Sequence, residues 1–144
     1  MKAVIQRVKK AVLFSEGEKH SEIGFGLLVL LGVCKEDTIQ KVPKFVERLL
    51  KFRIFDDENG KTNLNIFDAK GEILVVSNFT LYGNLNDSNR PSFVDAAGRA
   101  EAEPIYDEVC RLLGEKVSTK TGVFHTQMDI EMIADGPNTY VFEM

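Results

Sequence analysis

Residues 25–33 constrain this chain more than any other segment, because they are apolar throughout except at Gly26 and Gly32. The stretch is well short of the roughly 20 residues a helix needs to cross a bilayer. A continuous apolar run from Leu27 to Val33, flanked by glycines, is typical of a strand buried within a sheet. Such a strand needs partners, and the chain offers them. Residues 3–8 and 11–15 are rich in Val, Ile, Leu and Phe and predict two strands broken at Lys9-Lys10, leading into a turn at Glu16-Gly17-Glu18. Arg53-Ile54-Phe55 predicts a short strand, and Asp56-Asp57-Glu58-Asn59-Gly60 a solvated turn with an Asn-Gly step. Residues 73–76 predict another buried strand, running into Ser77-Asn78-Phe79-Thr80-Leu81. Met128, Ile130, Met132 and Ala134 alternate with Asp129, Glu131 and Ile133. That pattern predicts a strand, a turn at Asp135-Gly136-Pro137 and a last strand over residues 139–143.

Two stretches carry helical spacing instead. Val42, Phe45, Val46, Leu49 and Leu50 predict an amphipathic helix ending near Lys51, capped by Asp37 or Thr38. Pro43 fits there only in the first turn, where its missing N–H costs little. A second helix over residues 100–113 turns Ile105, Val109, Leu112 and Leu113 to the core, with Gly114 placed as a C-terminal cap. Five to seven strands and two main helices predict a mixed α/β fold: a strongly bent mixed sheet or open barrel carrying helices on one side. No repeat or Pro/Gly/Ser-rich linker divides the chain, so residues 1–144 read as a single domain.

Composition narrows the function classes. With 44% hydrophobic and 28% charged residues, the chain is neither a disordered nor a membrane protein. Its start lacks the apolar run of a signal peptide, and a cytoplasmic location is expected. A net charge of −4 argues against general affinity for nucleic acid but leaves contact with one RNA end open. Lys2, Arg7, Lys9 and Lys10 form either a local basic patch or a solvated strand face. Cys34 and Cys110 lack CxxC spacing and are expected as reduced, partly buried thiols. His20 and His125 make no zinc-binding pattern, and no metal or cofactor is expected.

Three segments can carry chemistry. In Ser77-Asn78-Phe79-Thr80-Leu81 a buried strand opens into the polar loop of residues 82–90, the kind of place where sites are often built. Its side chains and turning N–H groups can hold an ester carbonyl and the oxyanion formed on attack; equally, such residues are common turn formers. Asp135-Gly136-Pro137-Asn138-Thr139 is the second; by itself it predicts a hairpin turn with a trans peptide. The third is Arg90-Pro91-Ser92-Phe93, in which Phe93 anchors the loop on the core. No GxSxG elbow or phosphate-binding glycine loop occurs.

Taken in order, these segments resemble the D-aminoacyl-tRNA deacylase family, also called D-tyrosyl-tRNA deacylase. The resemblance runs nearly end to end, through Ala3-Val4-Ile5-Gln6-Arg7-Val8, residues 26–33, Arg53-Ile54-Phe55, Asn63-Leu64-Asn65, Arg90-Pro91-Ser92-Phe93, and Thr121-Gly122 with Phe124 and Met128. The family's Ser-Gln-Phe-Thr-Leu and Gly-Pro-Val-Thr runs stand here as Ser77-Asn78-Phe79-Thr80-Leu81 and Gly136-Pro137-Asn138-Thr139. Asn78, Asn138 and Ala134 depart from the usual Gln, Val and Asn.

The resemblance implies an ester hydrolase that removes D-amino acids, and glycine, from the 3′ end of tRNA as translation quality control. It implies a homodimer whose Gly136-Pro137 peptide is cis and reaches the partner's site, where rigid carbonyls exclude an L side chain. Arg7 would brace that loop, with Phe124 and Thr139 among the substrate-binding residues. Catalysis is assigned to Ser77, Asn78, Phe79 and Thr80. In one version the N–H groups of Phe79 and Thr80 hold the carbonyl while the terminal 2′-hydroxyl helps activate water. In the other, Thr80 is a covalent nucleophile. A dimeric binding module without activity and a threonine-dependent hydrolase of small esters are the alternatives.

Overall fold

The computed structural model describes residues 1–86 and 88–144; within the polar loop, Asp87 lies outside the described residues. The elements run β1 (Lys2–Ser15), β2 (Glu18–Ile23), β3 (Gly26–Gly32), α1 (Val42–Leu50), β4 (Phe55–Asp56), β5 (Thr62–Leu64), β6 (Glu72–Ser77), α2 (Arg99–Gly114), β7 (Thr119–Thr121) and β8 (Met128–Glu143). The main sheet has the order β2-β1-β3-β6-β7, with β8 on the other edge of β1. The β3–β6 and β6–β7 pairs are parallel and the rest antiparallel, so the sheet is mixed, as expected. It bends until β2 meets β6 and β7: Ser21 Oγ donates to the Thr121 carbonyl at 3.1 Å, and the Gly24 N–H to Glu72 Oε2 at 2.7 Å.

Strand β1 does not break at Lys9-Lys10. Residues 2–8 pair with β3 and residues 11–15 with β2 on one edge, while β8 pairs along the other. The two lysines fall in the gap between β3 and β2, exposed, and β8 carries the strand past them. Strand β2 itself was not foreseen, since its polar residues lack alternation.

Strands β3 and β6 are apolar on both faces because both faces are covered. On one side Ile5, Leu27, Val29, Leu31 and Val75 pack against Phe45 and Leu49 of α1 and Val109 and Leu113 of α2. Inside the bend, Val8, Ala11, Leu13, Leu28, Leu74 and Val76 form a second cluster. Each Val, Leu or Ile side chain among these contributes about 1.5–3 kcal/mol on burial. Gly26 is required where β3 meets β6: a Cβ there would fall inside the Glu72 backbone.

The helices differ from expectation at their ends. Pro43 lies in the first turn of α1 as expected, but a 3-10 turn (Ile39–Lys41) precedes it and Thr38 makes no side-chain cap. Asp37 does not cap either. It points inward, with Oδ1 2.6 Å from the Met1 α-ammonium and Oδ2 accepting the Cys34 N–H at 2.9 Å. Gly114 is the last helical residue of α2, and the cap is Glu115 in right-handed conformation. Of Arg53-Ile54-Phe55 only Phe55 enters a strand, continuing into Asp56. Both thiols are free and half-buried.

Candidate active site

The end of β6 is the natural place for a site, because buried hydrogen bonding stops there abruptly. The Asn78 N–H still donates to the Leu31 carbonyl at 2.8 Å, extending the parallel ladder by one residue. The chain then coils into a 3-10 turn (Phe79–Tyr82). Asn78 caps that turn: its Oδ1 accepts the Thr80 N–H at 3.2 Å and the Thr80 hydroxyl at 2.5 Å. The shorter side chain of Asn, compared with Gln, is therefore folded back on its own turn.

Beside this turn lies a cleft of about 650 Å³. Its floor is apolar, built from Leu30 and Val76 with Met128 and Ile130. Around it stand Ser77, Asn78 and Phe79, then Ala97 with Arg99 and Ala102 of α2, and residues 124–127. Of the residues singled out from sequence, the structure brings Ser77, Asn78, Phe79 and Phe124 to this cleft. Thr80 does not line it. Its hydroxyl and N–H are both spent on Asn78, whereas the Phe79 N–H finds no partner among the described residues. Phe79 is 56% exposed and packs edge-on against Phe93 at 5.0 Å, so Phe93 anchors the loop on this turn and not on the core. Phe124 leans on Tyr106 at 5.4 Å.

Arg99, His125, Thr126 and Gln127 also line the cleft, and sequence reasoning missed them. His125, which has a left-handed backbone (φ 61°), is an exposed part of that lining. Only its adjacency to Phe124 hinted at this. Among the described residues no three His, Cys, Asp or Glu side chains gather as a metal-ligand set.

Gly136, Pro137, Arg7 and Thr139 form a separate cluster away from the cleft of their own chain. The turn expected at Asp135-Gly136-Pro137 reverses nothing. Val8 pairs with Ala134 and Gln6 with Thr139, so residues 135–138 bulge from a continuing strand directly opposite Arg7. The Gly136-Pro137 peptide is cis, contrary to the prior set by sequence alone and as the resemblance implies. Gly136 has φ 114°, and a Cβ there would run into the Asn138 side chain. Asn138 Nδ2 donates to the Asp135 carbonyl at 3.1 Å, closing the bulge.

Arg7 is buried beneath the bulge. Its Nη1 donates to the Ile54 carbonyl at 3.1 Å and its Nη2 to Asp56 Oδ2 at 3.0 Å. Nε lies 2.7 Å from Asp135 Oδ2, yet its N–H is not aimed at that oxygen, so the contact is ionic. Burial opposes the guanidinium charge, but the Asp56 hydrogen bond and the fields of Asp135 and Asp56 outweigh it, and the pKa rises. The same bond from Arg7, helped by the Thr62 hydroxyl, holds the Asp56 carboxyl below its usual range. Asp56 is thus a strand residue and an ion-pair partner, not the solvated turn residue that local sequence predicted.

Residues 4–143 match the family described as D-Tyr-tRNA(Tyr) deacylase. The chain is 44% identical to a D-aminoacyl-tRNA deacylase of Myxococcus xanthus (strain DK1622), covering 99% of this chain and 94% of that one. It is 46% identical to one from Desulfatibacillum aliphaticivorans, with 99% of each covered. Among solved structures, a c-Myc DNA unwinding element binding protein superposes with a TM-score of 0.94 at 37% identity, covering 100% of this chain and 99% of that chain. A probable eukaryotic D-amino acid tRNA deacylase gives 0.87 at 16% identity over 99% and 98%, a likeness of fold.

Proposed function

The chain belongs to the D-Tyr-tRNA(Tyr) deacylase family, and from that premise we propose how its geometry removes D-amino acids from tRNA and spares L-amino acids. The enzyme is an ester hydrolase acting on D-aminoacyl-tRNA. The observation that carries the proposal is the cleft at the end of β6, lined by Ser77, Asn78, Phe79 and Phe124.

The 3′ end of the tRNA enters this cleft, with the ester carbonyl at the Phe79 N–H, the donor left unclaimed by the turn. The Thr80 N–H joins only if Asn78 releases it. An aminoacyl ester is already reactive, so positioning and one or two oxyanion donors supply much of the rate. Water attacks with the neighbouring 2′-hydroxyl assisting. A covalent role for Thr80 lacks support, because its hydroxyl proton is given to a neutral amide oxygen, which is no base.

Discrimination falls to the carbonyls of Gly136 and Pro137, supplied by a second copy of the chain. Two features support the dimer. The bulge stands away from its own cleft, and β8 is a 16-residue strand with an edge unpaired among the described residues. Its Met132, Ile133 and Val141 are exposed, an arrangement that monomers avoid. Rigid carbonyls beside the substrate Cα leave room for hydrogen but not for an L side chain. Glycine passes the same test. No helix among the described residues is long and apolar enough to cross a membrane, and we place the enzyme in the cytoplasm with its tRNA substrates.

The test is the deacylation of D-tyrosyl-tRNA and L-tyrosyl-tRNA by the purified protein in chelator. Rapid loss of the D-ester alone is expected. If neither ester is cleaved above the buffer rate, the chain is a dimeric binding module instead.

A further inference from the structure

We propose that Asp56 is a positioning residue for stereochemical discrimination, acting through Arg7 on the bulge that carries Gly136 and Pro137. The inference rests on the reading of that bulge as the filter.

A filter made of backbone discriminates only as well as its carbonyls are held. Residues 135–138 have no register partner on β1, and within the bulge the Asn138 side chain bonds only the Asp135 carbonyl, so neither ties it to the sheet. What stands beneath it is Arg7, with its flat guanidinium against Asp135. A guanidinium on three rotatable carbons fixes nothing unless its other donors are fixed too. Here they are. Nη1 is tied to the Ile54 carbonyl and Nη2 to Asp56 Oδ2. Asp56 is steadied in turn by the Thr62 hydroxyl, which donates to Oδ1 at 2.9 Å. Asp56 and Thr62 belong to β4 and β5, a two-stranded hairpin outside the main sheet. The contacts therefore run Thr62, Asp56, Arg7, Asp135, from the small hairpin to the filter.

The geometry also shows why Asp56 matters more than its exposure suggests. Arg7 is only 6% exposed, and its Nε–H already lacks a well-aimed acceptor. Without Asp56, a buried cation would keep one carboxylate, Asp135, and would be drawn fully toward it. That displaces Asp135 and with it the adjoining Gly136 carbonyl. Displacement of order 1 Å at such a point is enough to alter rates by about tenfold or more. The D-ester, with its side chain pointing outward, tolerates the shift better than the L-ester is excluded after it.

The experiment measures D- and L-tyrosyl-tRNA deacylation for the full-length protein and its Asp56→Ala, Asp56→Asn and Thr62→Val variants, with a melting curve for each. The unaltered chain is measured first. If it shows no preference for the D-ester, the filter reading itself fails. If it is selective, Asp56→Ala is expected to lower the D-over-L rate ratio by about tenfold. Asp56→Asn, which keeps an acceptor for Arg7 Nη2 but not the charge, falls between, and Thr62→Val shifts the ratio in the same direction by less. An unchanged ratio in Asp56→Ala, whatever its melting temperature, overturns the proposal, as does a common loss of both rates at constant ratio. Should Asp56→Ala not fold, the ratio in Thr62→Val and Asp56→Asn decides by the same criterion.

Discussion

Replacing Thr80 by valine deletes one hydroxyl and preserves the branched shape of the side chain. In the structure that hydroxyl does one thing: it donates to Asn78 Oδ1 at 2.5 Å. The Thr80 N–H donates to the same oxygen at 3.2 Å and remains after the substitution, so the cap on the turn survives. A neutral hydrogen bond of this kind contributes about 0.5–1.5 kcal/mol, and at an exposed residue water replaces part of it. If the whole amount were felt in the transition state, turnover would fall about two- to tenfold, at about 1.4 kcal/mol per decade. A covalent nucleophile behaves differently, since its removal costs on the order of 10⁴-fold or more. The assay is single-turnover deacylation of D-tyrosyl-tRNA, with circular dichroism and a melting curve to confirm the fold. A loss beyond about 10³-fold in a folded Thr80→Val protein would refute the argument that this hydroxyl only supports Asn78. A companion substrate ending in 2′-deoxyadenosine is expected to lose most of its hydrolysis, as the RNA-assisted route requires.

Asn138→Val removes the Nδ2 donor to the Asp135 carbonyl and is expected to lower the melting temperature by about 1–5 °C in calorimetry, one hydrogen bond in a chain of this size. Gly26→Ala drives a methyl into the Glu72 backbone; a loss of about 4 kcal/mol or more, or failure to fold, is expected in denaturant titration. For Asp37, burial alone would raise the pKa, but the α-ammonium and the Cys34 N–H lower it below the ordinary value. A depressed carboxylate contributes stability that is full above its unfolded pKa of about 3.9 and fades as pH falls through the lower folded value. Urea midpoints should therefore fall from about pH 4 downward, less steeply in Asp37→Asn, which starts about 3–5 kcal/mol lower at neutral pH.

Much of this protein was written locally. The doubly apolar runs in β3 and β6 demanded cover on both faces, and the periodicity of Phe45 and Leu49 and of Ile105 and Val109 supplied it on one of them in two helices. The polar break after Val76 marked the cleft wall at Ser77, Asn78 and Phe79. Such features depend on residues a few positions apart, where sequence and space agree. Tertiary structure alone decided the rest. Lys9 and Lys10 stay in one strand because β8, more than a hundred residues later, pairs with Val8 and Lys10 on either side of the expected break. Asp135-Gly136-Pro137-Asn138 has the composition of a reversing turn, yet it bulges outward because the segments on both sides of it pair with the same β1. Asp56 looks like a solvated turn residue until the hairpin sets it 3.0 Å from Arg7, 49 positions earlier in the chain. An ion pair at that separation is a product of packing: its energy depends on distance and burial, and neither exists until the sheet has closed.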